Sequence, residues 1–212
     1  MEYRTIAEAV TATLIEKKSE FIAHLFPVHT GEEAISCIET VKKNHRKARH
    51  NVYAYIVRDQ NTSRYSDDGE PQGTAGMPVL DALLKNQLTD VCCVVTRYFG
   101  GILLGGGGLV RAYSGSTSMA VQAAKIMVMR ECCPVTLSMD YSMYGKVSYV
   151  LPQYHVLQQD SDFGNDVTLS LLVQDTVTEK LRADLIELTN GQIQIRIGER
   201  QFADFSSVEK NL

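Results

Sequence analysis

Six glycines stand within nine positions from Gly100 to Gly108, with Arg97 on one side of them and Arg111 on the other. A β-branched run, Val91 to Tyr98, feeds into them, and an apolar helical pattern starts at Leu109. Strand, glycine loop and helix is the arrangement that turns free backbone N–H groups toward an anion. Glycine lets the backbone take unusual angles or press against a ligand, and a guanidinium adds forked donors for phosphate or carboxylate. Arg97, Tyr98, Gly100, Gly101, Gly105, Gly106, Gly107, Gly108 and Arg111 are therefore candidate residues for binding an anion or nucleic acid. The loop is not a Walker A motif, because Leu109-Val110 stands where Lys-Ser/Thr is required. Nor is it a dinucleotide fingerprint, because Ile102 and Leu103 break the G-x-G-x-x-G pattern. The same glycines suit a tight turn that brings the helix close to the sheet, and both readings stand at this point.

Two further clusters could carry chemistry. Asp67, Asp68 and Glu70 place three carboxylates within four residues. Magnesium takes carboxylate oxygens, so these three are candidate metal ligands; Asp also builds turns through its own backbone. From Lys42 to His50 the chain carries five cationic residues and two histidines. Lys43, Arg46, Lys47, Arg49 and His50 could contact phosphates, with Tyr53 or Tyr55 available to stack on a base. Cations at a helix C-terminus are also favourable without any ligand. No H-E-x-x-H, G-x-S-x-G or S-x-x-K motif occurs, and no catalytic residue is assigned.

These residues need elements to hold them. Strands are predicted at Val10–Glu16 and Glu20–Val28, and a capping box at Thr30–Glu33 opens a helix running to about Arg46. A strand over His50–Arg58, a long polar loop over 59–76 and a helix with Pro78 in its first turn follow. The buried strand Val91–Tyr98 then leads through the glycines to a helix over Leu109–Lys125. In the second half, a strand (Pro134–Tyr141), a helix (Tyr144–Leu151) and two strands (His155–Gln159, Val167–Gln174) precede a helix. That helix opens with a capping box at Thr176–Glu179 and closes at Asn190-Gly191, before a last strand over Gln192–Phe202. The order βαββαβ is the ferredoxin-like pattern.

Bulk properties narrow the classes. The chain of 212 residues carries net charge −4, divided as +1 over residues 1–126 and −5 over 127–212. Binding nucleic acid over the whole surface calls for a basic protein, so any such contact must be local and in the first half. Five cysteines include the vicinal pairs Cys92-Cys93 and Cys132-Cys133 and no C-x-x-C, which favours reduced buried thiols over zinc or disulfides. No apolar run has the length of a membrane span and no signal peptide is visible, so the expected compartment is the cytoplasm.

SDDGEPQGTAGMPVLDAL from Ser66, VVTRYFGG from Val94 and GGGLVRAY from Gly106, in that order, resemble the YigZ/IMPACT family. Glu20–Ala23, His50-Asn51 and Tyr53–Tyr55 match its earlier segments. The resemblance covers roughly residues 15–126, and 134–205 resemble the smaller C-terminal domain of the bacterial YigZ branch. It implies an α+β protein of two domains. Residues 1–126 would form an α/β domain like the second domain of a small-subunit ribosomal protein and domain IV of elongation factor G. Residues 127–212 would form a ferredoxin-like domain. The implied role is a non-catalytic, translation-associated one, in which the N-terminal domain binds RNA, the ribosome or a regulatory partner. Two alternatives stay open: a magnesium-dependent enzyme acting on a phosphorylated small molecule or nucleotide, and a pure protein-interaction module. No cofactor beyond that magnesium, and no membrane partner, is expected.

Overall fold

The computed structural model describes residues 2–58 and 61–209, and the chain forms two compact units, one of Tyr3–Met127 and one of residues from Val128 onward, with which Glu2 at the start of the chain also groups. In the first, the elements are β1 (Glu2–Ile6), β2 (Val10–Glu16), β3 (Ser19–Pro27), α1 (Gly31–Asn44), β4 (His50–Val57), β5 (Thr62–Ser66), α2 (Gly76–Lys85), β6 (Val91–Tyr98) and α3 (Gly106–Ala123). Strands β2 to β6 form one antiparallel sheet in the order β2-β3-β6-β4-β5.

The central strand β6 is buried on both faces, as its unbroken apolar run requires. Cys93 and Val95 face α2 and α3, in a core with Phe21, Ala23, Leu25, Val79, Leu83, Leu109 and Tyr113. Cys92 and Val94 face α1, in a second core with Val28, Ala34, Ile38 and Val41. The period of two along the strand thus separates a two-helix layer from a one-helix layer. All five cysteines are free, and burial pushes the Cys93 thiol up to about 12, which keeps it protonated and inert.

β1 has no counterpart among the predicted strands, and three further elements of this unit differ from expectation. Part of the predicted loop over 59–76 is the strand β5, which pairs with β4 from Tyr53↔Ser66 to Val57↔Thr62. Its sequence, TSRYS, lies at a mostly exposed sheet edge, so it needs no apolar alternation to announce it; Asp59 and Gln60 lie outside the described residues. Helix α3 begins at Gly106, so three of the loop glycines form its first turn. At the start of α1 the Thr30 hydroxyl accepts from the Glu33 amide at 3.2 Å, while the Glu33 carboxylate accepts from the amide of His29 rather than Thr30.

The second unit carries β7 (Ile126–Met139), α4 (Tyr141–Val150), a short 3-10 turn, β8 (Leu157–Phe163), β9 (Val167–Gln174), α5 (Asp175–Leu188), β10 (Gln194–Ile197), β11 (Gln201–Asp204) and the short α6 (Ser206–Glu209). β7 lies beside β9, β9 beside β8, and β10 and β11 pair with the other side of β7, all antiparallel. This is the sheet of a ferredoxin-like fold. Val135, Leu137, Leu169 and Leu171 face Val147 of α4 and Leu181 and Leu185 of α5.

The expected last strand is broken in two, and the cause lies opposite. Pro134 of β7 has no N–H to donate, its carbonyl accepts from the Gly198 amide at 2.8 Å, and three residues bulge between β10 and β11 there. The capping box expected at Thr176 does not form: α5 starts at Asp175 with no side-chain cap, and Thr178 donates back to the Gln174 carbonyl. The Asn190-Gly191 stop does form, with the Gly191 amide donating to the Ile186 carbonyl at 2.8 Å. No helix among the described residues is long and apolar enough to cross a membrane.

Two measurements test this packing. An added Cβ on Gly100 would lie 2.0 Å from the Lys18 carbonyl group, so Gly100→Ala should cost at least ~2 kcal/mol in urea unfolding. His24 faces the α1 side, its Nε2 is buried without a partner, and burial with neighbouring His45 lowers its pKa to about 4. The unfolded chain takes up the proton near pH 6.5, so this stability is present above that pH and is lost as pH falls toward 4. The melting temperature should therefore drop less between pH 7 and 4 in His24→Gln than in the parent protein; an identical drop would exclude His24 as the cause.

Candidate functional site

Arginine in the middle of an apolar sheet face must find a counter-charge, because an unpaired buried cation is too costly. Arg97 stands on the α2/α3 face of β6, directly between Phe21 of β3 and His50 of β4 in the strand register. It is only 5% exposed, and its Nη1 donates to Glu70 Oε1 at 2.5 Å. The same carboxylate oxygen accepts from the Tyr113 hydroxyl of α3 at 2.8 Å. Burial first, then the Glu70 charge, push the Tyr113 pKa up, so the phenol stays a donor. His50 Nδ1 lies 2.8 Å from the Asp68 carbonyl, which only accepts, so Nδ1 carries a proton. Its Nε2 sits 3.8 Å from Glu70 Oε1. Strand, loop and helix thus meet in one buried polar group.

The acidic loop is spent on holding itself and its neighbours. Asp67 accepts from the amides of Gly73, Ala75 and Gly76, and so caps α2, whose own N-cap Ala75 has no side chain to do it. Asp68 accepts from the Asn51 amide at 2.7 Å and from Lys42 Nζ at 2.8 Å, continuing the β4 ladder where β5 has ended. Glu70 turns inward to Arg97 and Tyr113. The three expected metal ligands therefore point to three different sets of donors. Among the described residues no group of three or more His, Cys, Asp and Glu side chains could hold a metal ion.

Above the buried group opens a cleft of about 330 Å³. Arg97, His50 and Glu70 line it below; Arg49, Pro71, Phe99 and Leu103 stand around it; Gly105, Gly106 and Leu109 form the side contributed by α3. Gly105 takes φ +71° to start the helix, and no side chain caps it. Free N–H groups at a helix N-terminus attract anions. The Arg97 guanidinium lies 5.4 Å from the Phe21 ring and 5.6 Å from the Phe99 ring, and that of Arg49 lies 5.9 Å from the Phe99 ring. Arg97 Nε is buried without a hydrogen-bond partner.

The structure brings together only some of the residues singled out in the sequence. Arg49, His50, Glu70, Arg97, Gly105 and Gly106 share the cleft. Arg111 lines a separate depression with Leu14, Glu16 and Lys17, so Arg97 and Arg111 do not flank one anion. Gly100 is a packing glycine against Lys18 and Ser19, and Gly101 serves the turn with φ +82°. Gly107 and Gly108 lie in the first turn of α3. Lys43, Arg46 and Lys47 are exposed around the end of α1. Tyr53 packs into the α1-side core beneath Lys42, and the Tyr98 hydroxyl meets His45 Nδ1 at 3.0 Å, so neither ring belongs to the cleft. Ser114, Ser116 and Ser118 bond to carbonyls of their own helix. Tyr113 and Phe99 carry the site; both lie in segments that resemble the family, but neither is singled out as a candidate by its residue type or spacing. The signal that points to them is the buried arginine, which calls for a carboxylate and for aromatic faces.

Removing one partner of this pair leaves the other buried and uncompensated. Arg97→Ala should therefore destabilise the protein by about 3–5 kcal/mol in urea unfolding, while Arg111→Ala should stay within about 0.5 kcal/mol of the parent.

The sequence and the fold have counterparts in known proteins. The family model described as the Impact N-terminal domain matches residues 17–121, which hold the whole cleft. The model of a domain of unknown function, DUF1949, matches residues 137–192. The chain is 37% identical over 203 residues to the IMPACT family member YvyE of Bacillus subtilis (strain 168), spanning 95% of this chain and 94% of that protein. It is 33% identical over 192 residues to the IMPACT family member YigZ of Escherichia coli (strain K12), spanning 88% and 94%. A crystal structure of a hypothetical protein superposes with a TM-score of 0.59 at 32% identity, spanning 92% of this chain and 96% of that one. With likeness running through both units at this level, the chain belongs to the IMPACT family.

Proposed function

We propose that this protein is a non-catalytic, translation-associated binding protein whose N-terminal domain holds phosphates of RNA at the cleft. One observation carries the reading: the uncapped first turn of α3 borders the same cleft as Arg97 and Arg49. Amides, helix dipole and guanidinium there all favour an anion. Exposed Lys43, Arg46 and Lys47 extend the positive charge outside the cleft. The second unit supports this placement by contrast. The sheet positions of β7 and β9 away from its helices include Pro134, Thr136, Ser138, Thr168, Ser170 and Leu172, which offer no aromatic ring for a base to stack on.

A second reading has its own support. Leu103 is 82% exposed at the cleft mouth, beside Phe99 at 41%, and apolar surface of that kind suits a protein partner.

Fluorescence anisotropy with labelled single-stranded RNA and structured ribosomal RNA fragments, over a salt series, separates the two. Arg97 is unsuitable for this test, because its loss unfolds the site. Binding should weaken steeply with salt. Arg49→Ala and the triple Lys43→Ala/Arg46→Ala/Lys47→Ala variant should reduce affinity and flatten the slope by about 0.7 for each phosphate the variant no longer neutralises. Absence of binding at low salt would rule out RNA and leave the protein-partner reading.

A further inference from the structure

We propose that the open face of the second unit's sheet binds a second copy of this chain in a two-fold dimer. Strands β10, β7, β9 and β8 lie side by side, and their registers line up into rows that run across the sheet. Paired residues share a face, and those that alternate with the core positions point away from the helices. One row on that face is Arg196, Thr136, Ser170, Asp160. The next is Gln194, Ser138, Thr168, Asp162. A third holds Pro134, Leu172 and Leu157. The outer residues of the first two rows are exposed; their inner Ser and Thr, and the third row, are half-buried.

This face is complementary to itself. A half-turn about an axis along the strands, above the gap between β7 and β9, exchanges β8 with β10 and β9 with β7. Each row then meets its own reverse. Arg196 stands opposite Asp160 of the other copy, and Gln194 opposite Asp162. Between them hydroxyls face hydroxyls, which both donate and accept, and the apolar row covers its equivalent. A surface that fits its own two-fold image is what a closed dimer requires. Small Ser and Thr side chains in the middle let the sheets approach, and aligned sheets cross at only about −30°, so a side chain as long as Arg196 still reaches its counterpart.

The charges needed for this are available. Among the described residues Arg196, Asp160 and Asp162 form no ion pair, and Asp160 accepts only from the neighbouring Ser161 amide. Other occupants fit less of the face. A nucleic acid would meet two carboxylates and no aromatic ring, and a basic peptide would match Asp160 and Asp162 but bring like charge to Arg196. Past the second row stand Asp140 and Asp166, acidic in both copies, so the contact ends there. Four strands and three rows cover about 400 Å² per copy, roughly half of a standard interface, so the dimer should form in the micromolar range.

The test is sedimentation velocity of the full chain from micromolar to millimolar concentration at low salt. The parent should dimerise, and added salt should weaken the dimer. Arg196→Glu should weaken self-association at least ten-fold, and so should Asp160→Lys/Asp162→Lys, because each variant sets like charges opposite one another. Both act at exposed positions, so their melting temperatures should stay near that of the parent. An equimolar mixture of the two variants should dimerise again, since each changed charge then meets its opposite. A parent that stays monomeric at millimolar concentration would overturn the proposal. A dimer that both variants leave intact would exclude this face. Weakened variants whose mixture fails to dimerise would overturn the two-fold pairing of Arg196 with Asp160.

Discussion

A guanidinium buried in a β-sheet is the constraint around which the N-terminal domain is arranged. Arg97 cannot stay in the apolar layer between sheet and helices without a carboxylate, and Glu70 supplies one. Glu70 cannot reach it unless the loop after β5 folds back over the sheet, and its oxygen then also accepts from Tyr113. One charge pair therefore fixes the position of the loop against the strand and of α3 against both. The aromatic faces of Phe21 and Phe99 close the remaining sides. Taken singly, such a pair adds little net stability against an apolar alternative, but breaking it is costly, so it specifies one arrangement.

The acidic loop follows the same logic on a smaller scale. Asp67 caps a helix that has no cap of its own, Asp68 replaces a missing strand neighbour, and Glu70 meets the arginine. Three carboxylates that suggest a metal site when read in order have three separate structural duties. What they hold in place is the cleft: its inner surface is the charge pair, and its side is the first turn of α3, presented without a cap. The nearby hydroxyls of α3 are bonded to their own backbone, and the Cys93 thiol is buried and protonated.

Much of the fold was legible in the chain itself. Period-two and period-3.6 patterns with their caps and stops located β2, β3, β4, β6, β9 and the helices α1 and α2 to within a few residues. Where the pattern misled, a partner elsewhere in the chain was the reason. β5 is an edge strand with no face to bury, and the last strand breaks because Pro134 opposite it lacks a donor. The first turn of α3 is made of glycines, which local propensity assigns to a loop.

The sequence by itself determined the two-part α+β order, the family resemblance and which glycine loop was worth attention, because these depend on local periodicity and on residues adjacent in the chain. Tertiary structure alone decided that Arg97 and Arg111 belong to different surfaces, that the acidic loop is a clamp, and that Tyr113 completes the buried group. The physical reason is range. Hydrogen bonds within helices and turns join near neighbours and leave their trace in spacing. The contacts that built this site join residues 27 and 43 positions apart, and long-range pairing of that kind has no period to read.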